Sequence, residues 1–113
     1  MKKTILLLLA ASLIFFLFAC KSSAVSKLDP VAAAETYLNS GNMFYNKADF
    51  DRALMDYDQA ILLDPTLAEA YNNRGYVHFV KGNKEQAIAD FESALKLDPE
   101  YTRAKNNLAR ARK

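Results

Sequence analysis

The sequence is poor in the residues on which catalysis and covalent cross-linking usually depend. Its 113 residues include one cysteine, one histidine and three glycines. A single cysteine excludes an internal disulfide bond and a cysteine-based metal cage. The sequence has no glycine-rich phosphate loop and no metal-ligand spacing, and no motif supplies His78 with a catalytic partner. We therefore predict that the protein is not an enzyme and uses neither a cofactor nor a metal ion.

The formal charges of the chain are close to balance. Lys2 and Lys3 are two of its 15 basic residues, so 13 basic and 13 acidic residues remain once residues 1–19 are removed. A neutral total argues against nucleic acid as a partner. Five aspartates nevertheless lie between Asp49 and Asp64 beside Arg52 alone, and the C-terminus is basic. We interpret both groups as solvated helix faces, with a field that steers a partner as the alternative.

The N-terminus has the layout of a secretory signal peptide. Two lysines follow Met1, residues 4–18 carry no charge, and Ala19 precedes the cysteine. This apolar run is too short for a comfortable membrane span of about 20 residues. The pattern predicts an exported chain with a signal peptide at residues 1–19.

The four residues 17–20, Leu-Phe-Ala-Cys, resemble the lipobox of bacterial lipoproteins. The resemblance implies that Cys20 is lipidated and becomes the mature N-terminus, with ordinary cleavage or an uncleaved signal anchor as alternatives. Residues 20–30 would then form the lipidated cysteine and a tether of at most about 35 Å. Such a protein is anchored to the bacterial cell envelope. Lys21, the residue after the cysteine, resembles the residue at this position in lipoproteins that are sent to the outer membrane. The resemblance implies a protein on the outer membrane that faces the periplasm, if the cell has such a membrane.

The remainder of the chain repeats with a period of 34 residues. Residues 34–67 and 68–101 agree without a gap at 12 of 34 positions, and both segments contain an Asp-Pro pair near their ends, Asp64-Pro65 and Asp98-Pro99. Such a period indicates stacked units, none of which buries its apolar face alone. Apolar residues occur at helical spacing, and each Asp-Pro closes the second helix of its unit. Asp29-Pro30 instead begins the first helix, and Ala48 and Gly82 mark the break within each unit. The predicted fold class is all-α.

The recurring residues resemble the tetratricopeptide (TPR) repeat, in which aromatic rings fill the space between paired helices and small residues allow close backbone approach. They are Tyr37, Gly41, Phe44, Ala53, Tyr57, Ala60 and Pro65, then Tyr71, Gly75, His78, Ala87, Phe91, Ala94 and Pro99. The resemblance implies a short α-solenoid with TPR 1 at residues 31–67, TPR 2 at 68–101 and a capping helix at 102–113. His78 is then a packing residue.

In TPR proteins the first helix of each unit lines a groove that holds an extended peptide or a partner helix. The resemblance implies a groove face that includes Leu38, Tyr45 and Phe79. The predicted peptide-binding residues are Asn39, Asn42, Asn72, Asn73, Tyr76, Arg103, Asn106, Asn107 and Arg110. Asn39, Asn73 and Asn107 recur at the repeat period and predict an asparagine ladder that binds peptide amides, or else polar cover of an exposed helix.

The chaperone-binding TPR proteins hold a carboxylate with a clamp of five residues. Asn42, Asn73 and Arg103 are similar to three of them, whereas Leu38 and Asn107 replace a lysine and an arginine. The predicted function is a lipid-anchored, non-catalytic adaptor that binds a peptide or protein. Since repeat arrays usually need roughly three units, the alternative is a self-associating assembly module, a homo-oligomer with Tyr45, Phe79 and Val80 as contacts.

Overall fold

The computed structural model describes residues 29–113, which fold into five consecutive α-helices without a strand. These are α1 (Pro30–Asn46), α2 (Phe50–Leu63), α3 (Ala68–Val80), α4 (Lys84–Leu97) and α5 (Thr102–Ala111). The predicted all-α fold is confirmed. The predicted signal peptide and the lipidation site at Cys20 lie outside the described residues. Within residues 29–113, no helix has both the length and the apolar character that crossing a membrane requires.

The helix ends follow the predicted capping chemistry. The Asp29 carboxylate accepts a hydrogen bond from the Val31 amide at 3.0 Å, and Pro30 occupies the first turn of α1. At this position proline loses nothing, because its missing amide hydrogen would have no helical partner. At the other end of the unit, the Asp64 carboxylate accepts from the Thr66 amide at 3.0 Å. Asp98 repeats that turn after α4.

The break within each unit requires a left-handed backbone. Gly82 has φ of 85°, and Ala48, the equivalent residue in the first unit, has φ of 58°. Glycine adopts this region freely, whereas the Cβ of alanine meets the following carbonyl oxygen. The two breaks therefore share a left-handed backbone, but this backbone costs more free energy at Ala48 than at Gly82.

Each unit is an antiparallel helix pair, and the pairs stack so that α3 packs on α2 and α5 packs on α4. A Cβ at Gly41 would lie 2.6 Å from the Cε1 atom of Tyr57, and one at Gly75 would lie 2.9 Å from Cε1 of Phe91. Both glycines thus allow a buried ring to contact the opposite backbone, as predicted. The buried alanines repeat through the stack and are Ala33, Ala34, Ala53, Ala60, Ala70, Ala87, Ala94, Ala104 and Ala111.

Asp90 of α4 belongs to a buried ion pair that the sequence did not indicate. Its side chain is buried, and Arg74 forms two hydrogen bonds to it, from Nε at 2.9 Å and from Nη2 at 2.7 Å. These bonds raise the pKa of Arg74 above its usual range. Arg74 also pairs with Asp58 at 2.8 Å, and Lys81 pairs with Asp51 at 2.6 Å. Asp58 and Asp51 of α2 therefore pair with cations of α3 and its C-cap, and Arg52 pairs with the N-cap residue Asp49.

Candidate functional site

The first helix of each unit and α5 face a common groove. This groove has a volume of about 510 Å³ and opens to solvent. Because α1, α3 and α5 are related by the repeat, equivalent positions on the three helices lie next to one another across it. Its lining residues are Asn42, Tyr45, Asn46, Tyr57, Glu69, Asn72, Asn73, Tyr76, Arg103, Asn107 and Arg110.

Seven of the nine predicted binding residues line this groove, and the other two lie outside it. Asn39 and Asn106 are exposed but are not part of the lining. The predicted ladder of Asn39, Asn73 and Asn107 is therefore incomplete at its α1 end. Leu38, expected on the exposed face, is buried, and Asn72 is only 1% exposed. Helical spacing predicts the residues of one face only to within one position. A residue that is predicted to be exposed can therefore be buried in the structure.

The groove includes three residues that the sequence did not indicate. Asn46 and Glu69 lie at the end of α1 and in the first turn of α3, beyond the span of the mapped face. Tyr57 lies on α2, and its position in the repeat indicated packing between helices. It does pack there, with 1% exposure, but its hydroxyl reaches the groove and donates to Asn42 Oδ1 at 2.7 Å.

A continuous chain of side-chain amides crosses the floor of the groove. Asn107 Nδ2 donates to Asn72 Oδ1 at 3.0 Å, and Asn72 Nδ2 donates to Asn73 Oδ1 at 3.0 Å. Asn73 Nδ2 then donates to Asn42 Oδ1 at 2.9 Å. We call these four residues the amide chain. It joins α5 to α1 through two adjacent residues of α3, so a polar contact spans all three helices.

Aromatic rings form one wall of the groove. The rings of Tyr45 and Tyr76 meet edge to face with centroids 5.8 Å apart, and Phe79 continues the row 6.5 Å from Tyr76. The guanidinium of Arg110 lies 5.6 Å from the centre of the Phe79 ring. Tyr45 and Phe79, expected as contacts between copies, thus pack within the chain. Val80, the third of that group, is 46% exposed.

The groove carries an excess of positive charge. Within residues 29–113, neither Arg103 nor Arg110 has a carboxylate within 4.0 Å, and Glu69 is the acidic residue of the lining. Burial raises the pKa values of Tyr45 and Tyr57, so both phenols are neutral near pH 7. The arginines therefore set the sign of the field, which suits an acidic ligand.

His78, the single histidine of the sequence, does not line the groove. Burial lowers the pKa of His78, and its Nδ1 atom is buried without a hydrogen-bond partner among the described residues. In the same part of the chain, no three side chains of the metal-binding types His, Cys, Asp and Glu are grouped to hold an ion. The arrangement can bind a ligand through hydrogen bonds, ring contacts and ion pairs.

Paired antiparallel helices that stack at a fixed period around a groove define a helical repeat protein. Comparison with known families gives the particular kind. A tetratricopeptide repeat profile matches residues 68–101, and a second TPR repeat profile matches residues 41–82. The chain belongs to the tetratricopeptide repeat family. No relative is found among curated protein sequences.

Solved TPR domains share the fold and much of the length. The second TPR domain of human RPAP3, in complex with the HSP70 peptide SGPTIEEVD, is 30% identical over 73% of this chain and 68% of that one, with a TM-score of 0.69. The TPR domain of Arabidopsis OM64 is 33% identical over 72% of this chain and 67% of that one, with a TM-score of 0.69. The TPR2B domain of yeast Sti1, in complex with pHsp70, is 30% identical over 72% of this chain and 65% of that one, with a TM-score of 0.70.

Proposed function

We propose that the protein is a non-catalytic adaptor that binds an acidic peptide segment in its groove and is held at the bacterial cell envelope by a lipid on Cys20. The observation that carries the proposal is the composition of the groove: an amide chain along the floor, an aromatic wall and two arginines that have no carboxylate partner among residues 29–113. The similarity to domains solved in complex with an HSP70 peptide and with pHsp70 supports it.

Each part of the groove suits one part of such a ligand. Side-chain amides bind the N–H and C=O groups of an extended backbone independently of its sequence. Tyr45 and Tyr76 offer ring area to an apolar side chain. Arg103 and Arg110 offer planar guanidinium groups, which bind carboxylates through two hydrogen bonds at once. The peptide in the RPAP3 complex, SGPTIEEVD, carries all of these features.

The carboxylate would be held differently from the five-residue clamp that the sequence resembles. Leu38 stands at the position of a clamp lysine and is buried. Asn107 stands at the position of a clamp arginine, and its Nδ2 atom donates to Asn72. The available cations are thus Arg103 and, one turn beyond Asn107, Arg110. We therefore assign the acidic group of the ligand to this arginine pair.

The test is calorimetric titration of the full chain, in detergent micelles, with the peptide SGPTIEEVD. Changing both Arg103 and Arg110 to Ala should weaken binding at least about tenfold, since each charge-assisted hydrogen bond contributes roughly 1.5–3 kcal/mol. Lys105→Ala with Arg112→Ala is the matched control, because it removes two positive charges from α5 and its C-cap, outside the lining of the groove. Equal weakening by both pairs would indicate a general field effect and would contradict binding in the groove.

The lipid anchor and the oligomeric state are tested separately. Cys20→Ser should move the protein from the membrane fraction to the soluble fraction of the cell, and retention in the membrane would contradict lipidation. Self-association remains the second candidate function, favoured by the large exposed side chains of Met55 (66%) and Leu62 (72%) on α2. Sedimentation across a range of concentrations distinguishes the two, since a persistent monomer contradicts an assembly module.

A further inference from the structure

Asn72 is a buried amide where the repeat does not require one. It is 1% exposed, whereas Leu38, the equivalent residue of the first unit, fills the same place with an apolar side chain at 6% exposure. The third equivalent, Asn106, is exposed on α5. Packing at this position is therefore satisfied by leucine. An amide places polar atoms in the interior, and the fold loses stability unless those atoms form hydrogen bonds.

Both polar atoms of Asn72 are bonded to residues that line the groove. Its Oδ1 atom accepts from Asn107, and its Nδ2 atom donates to Asn73. An oxygen can only accept and an NH₂ group can only donate, so these bonds determine which way round each neighbouring amide faces. Asn73 must present its oxygen to Asn72 and turn its nitrogen toward Asn42. Asn107 must turn its nitrogen toward Asn72.

The direction of the amide chain determines what remains free at its two ends. Asn42 Oδ1 accepts from both Asn73 and Tyr57, so the Nδ2 group of Asn42 is the part left for a ligand. At the other end, Nδ2 of Asn107 is engaged and its oxygen accepts no hydrogen bond from residues 29–113. The groove thus offers a donor on α1 and an acceptor on α5, which match a carbonyl and an amide hydrogen of an extended backbone.

We propose that Asn72 is a positioning residue of the groove: it does not touch the ligand, but fixes the orientation of Asn73 and Asn107 and so sets the donor and acceptor ends of the amide chain. Its use in binding rests on the proposed function. The ordering of the Asn73 and Asn107 side chains does not rest on that function and can be measured without any ligand.

The test compares Asn72→Leu with Asn106→Leu in the full chain in detergent micelles. Leucine is chosen because Leu38 shows that the fold accommodates it at this position, and Asn72→Ala serves as a smaller second variant. NMR measures hydrogen exchange of the side-chain NH₂ groups of Asn73 and Asn107. Loss of one hydrogen bond should accelerate this exchange about fivefold in both. Asn106→Leu should leave it unchanged. Unchanged exchange in the Asn72 variants would overturn the proposal.

A second measurement asks whether the ordering matters for binding. Calorimetry with SGPTIEEVD should show affinity reduced about fivefold by Asn72→Leu, as for one lost hydrogen bond, and unaltered by Asn106→Leu. Faster side-chain exchange without loss of affinity would overturn the positioning role. If the unaltered protein does not bind this peptide, the proposed acidic-peptide function is wrong, and the exchange measurement alone decides whether Asn72 orders the groove.

Discussion

The two TPR units have the same backbone fold but differ in the side-chain contacts that hold their helices together. In the first unit Ser40, on α1, donates one hydrogen bond to Asp56 at 2.5 Å, and Asp56 is half-buried. The equivalent residues of the second unit, Arg74 and Asp90, form a bidentate ion pair in which Asp90 is 5% exposed. Both units therefore have a polar contact between their two helices at this repeat position, but the contact differs in charge and in burial.

The same contrast appears at other equivalent positions. Leu38 and Phe44 of the first unit correspond to Asn72 and His78 of the second, so apolar side chains are replaced by polar ones that are partly or fully buried. A buried polar group that is paired, as Asn72 is, fixes geometry more narrowly than an apolar one. The second unit, which supplies the centre of the amide chain, is thus the unit with the more directional core.

Breaking the ion pair should give the largest difference between the units. Arg74→Leu leaves Asp90 buried without its partner and should lower the free energy of unfolding by about 3 kcal/mol. Ser40→Ala removes a single hydrogen bond from a carboxylate that water can reach, and should cost only about 1 kcal/mol. Urea denaturation followed by circular dichroism measures both.

A double variant separates the charge from the packing. Asp90→Asn retains the shape of the side chain, so combining it with Arg74→Leu removes the unpaired charge without a large cavity. We expect the double variant to be more stable than Arg74→Leu alone, because a neutral amide is less costly to bury than a carboxylate. If Arg74→Leu and Ser40→Ala cost the same, the two polar contacts are equivalent and the comparison of the units is wrong.

The left-handed breaks offer a smaller effect of opposite sign. Ala48→Gly should stabilise the first unit by about 0.5–1 kcal/mol, because relief of the left-handed strain exceeds the added freedom of glycine in the unfolded chain. Ala48 is exposed, so no packing is lost. The reverse change, Gly82→Ala, meets no atom within 4 Å and should lose about 1 kcal/mol through its φ alone. Thermal unfolding of the two variants should therefore shift in opposite directions.

The helices and their ends could be predicted from the sequence because local chemistry determines them. Asp29-Pro30, the two later Asp-Pro pairs and the breaks at Ala48 and Gly82 act within a few residues of themselves. The repeat then predicts that like helices lie side by side, which brings most of the groove residues together. The predicted fold and the approximate position of the groove follow from these local signals.

The burial of individual polar residues could not be predicted, because it depends on partners far away in the sequence. Asp90 is paired with Arg74, which lies 16 residues earlier on another helix. Asn72 differs from its half-buried neighbour Asn73 by a rotation of about 100° about the helix axis. Helical spacing cannot decide which of two adjacent asparagines faces the interior. One of the hydrogen bonds of Asn72 comes from Asn107 on α5, which lies 35 residues later in the sequence.

The smallest expected effect concerns His78, which takes the place of Phe44 in the second unit. Burial lowers its pKa from the ordinary value of 6.5, with attraction to Asp90 offsetting part of the shift. The folded state thus favours neutral His78, and its contribution to stability is complete above about pH 6.5 and declines as the pH falls further. His78→Phe should remove this slope. We would measure the free energy of unfolding between about pH 8 and about pH 5, where carboxylates titrate little. Parallel curves for the two proteins would mean that His78 binds its proton equally well folded and unfolded, and that the polar core of the second unit does not sense pH.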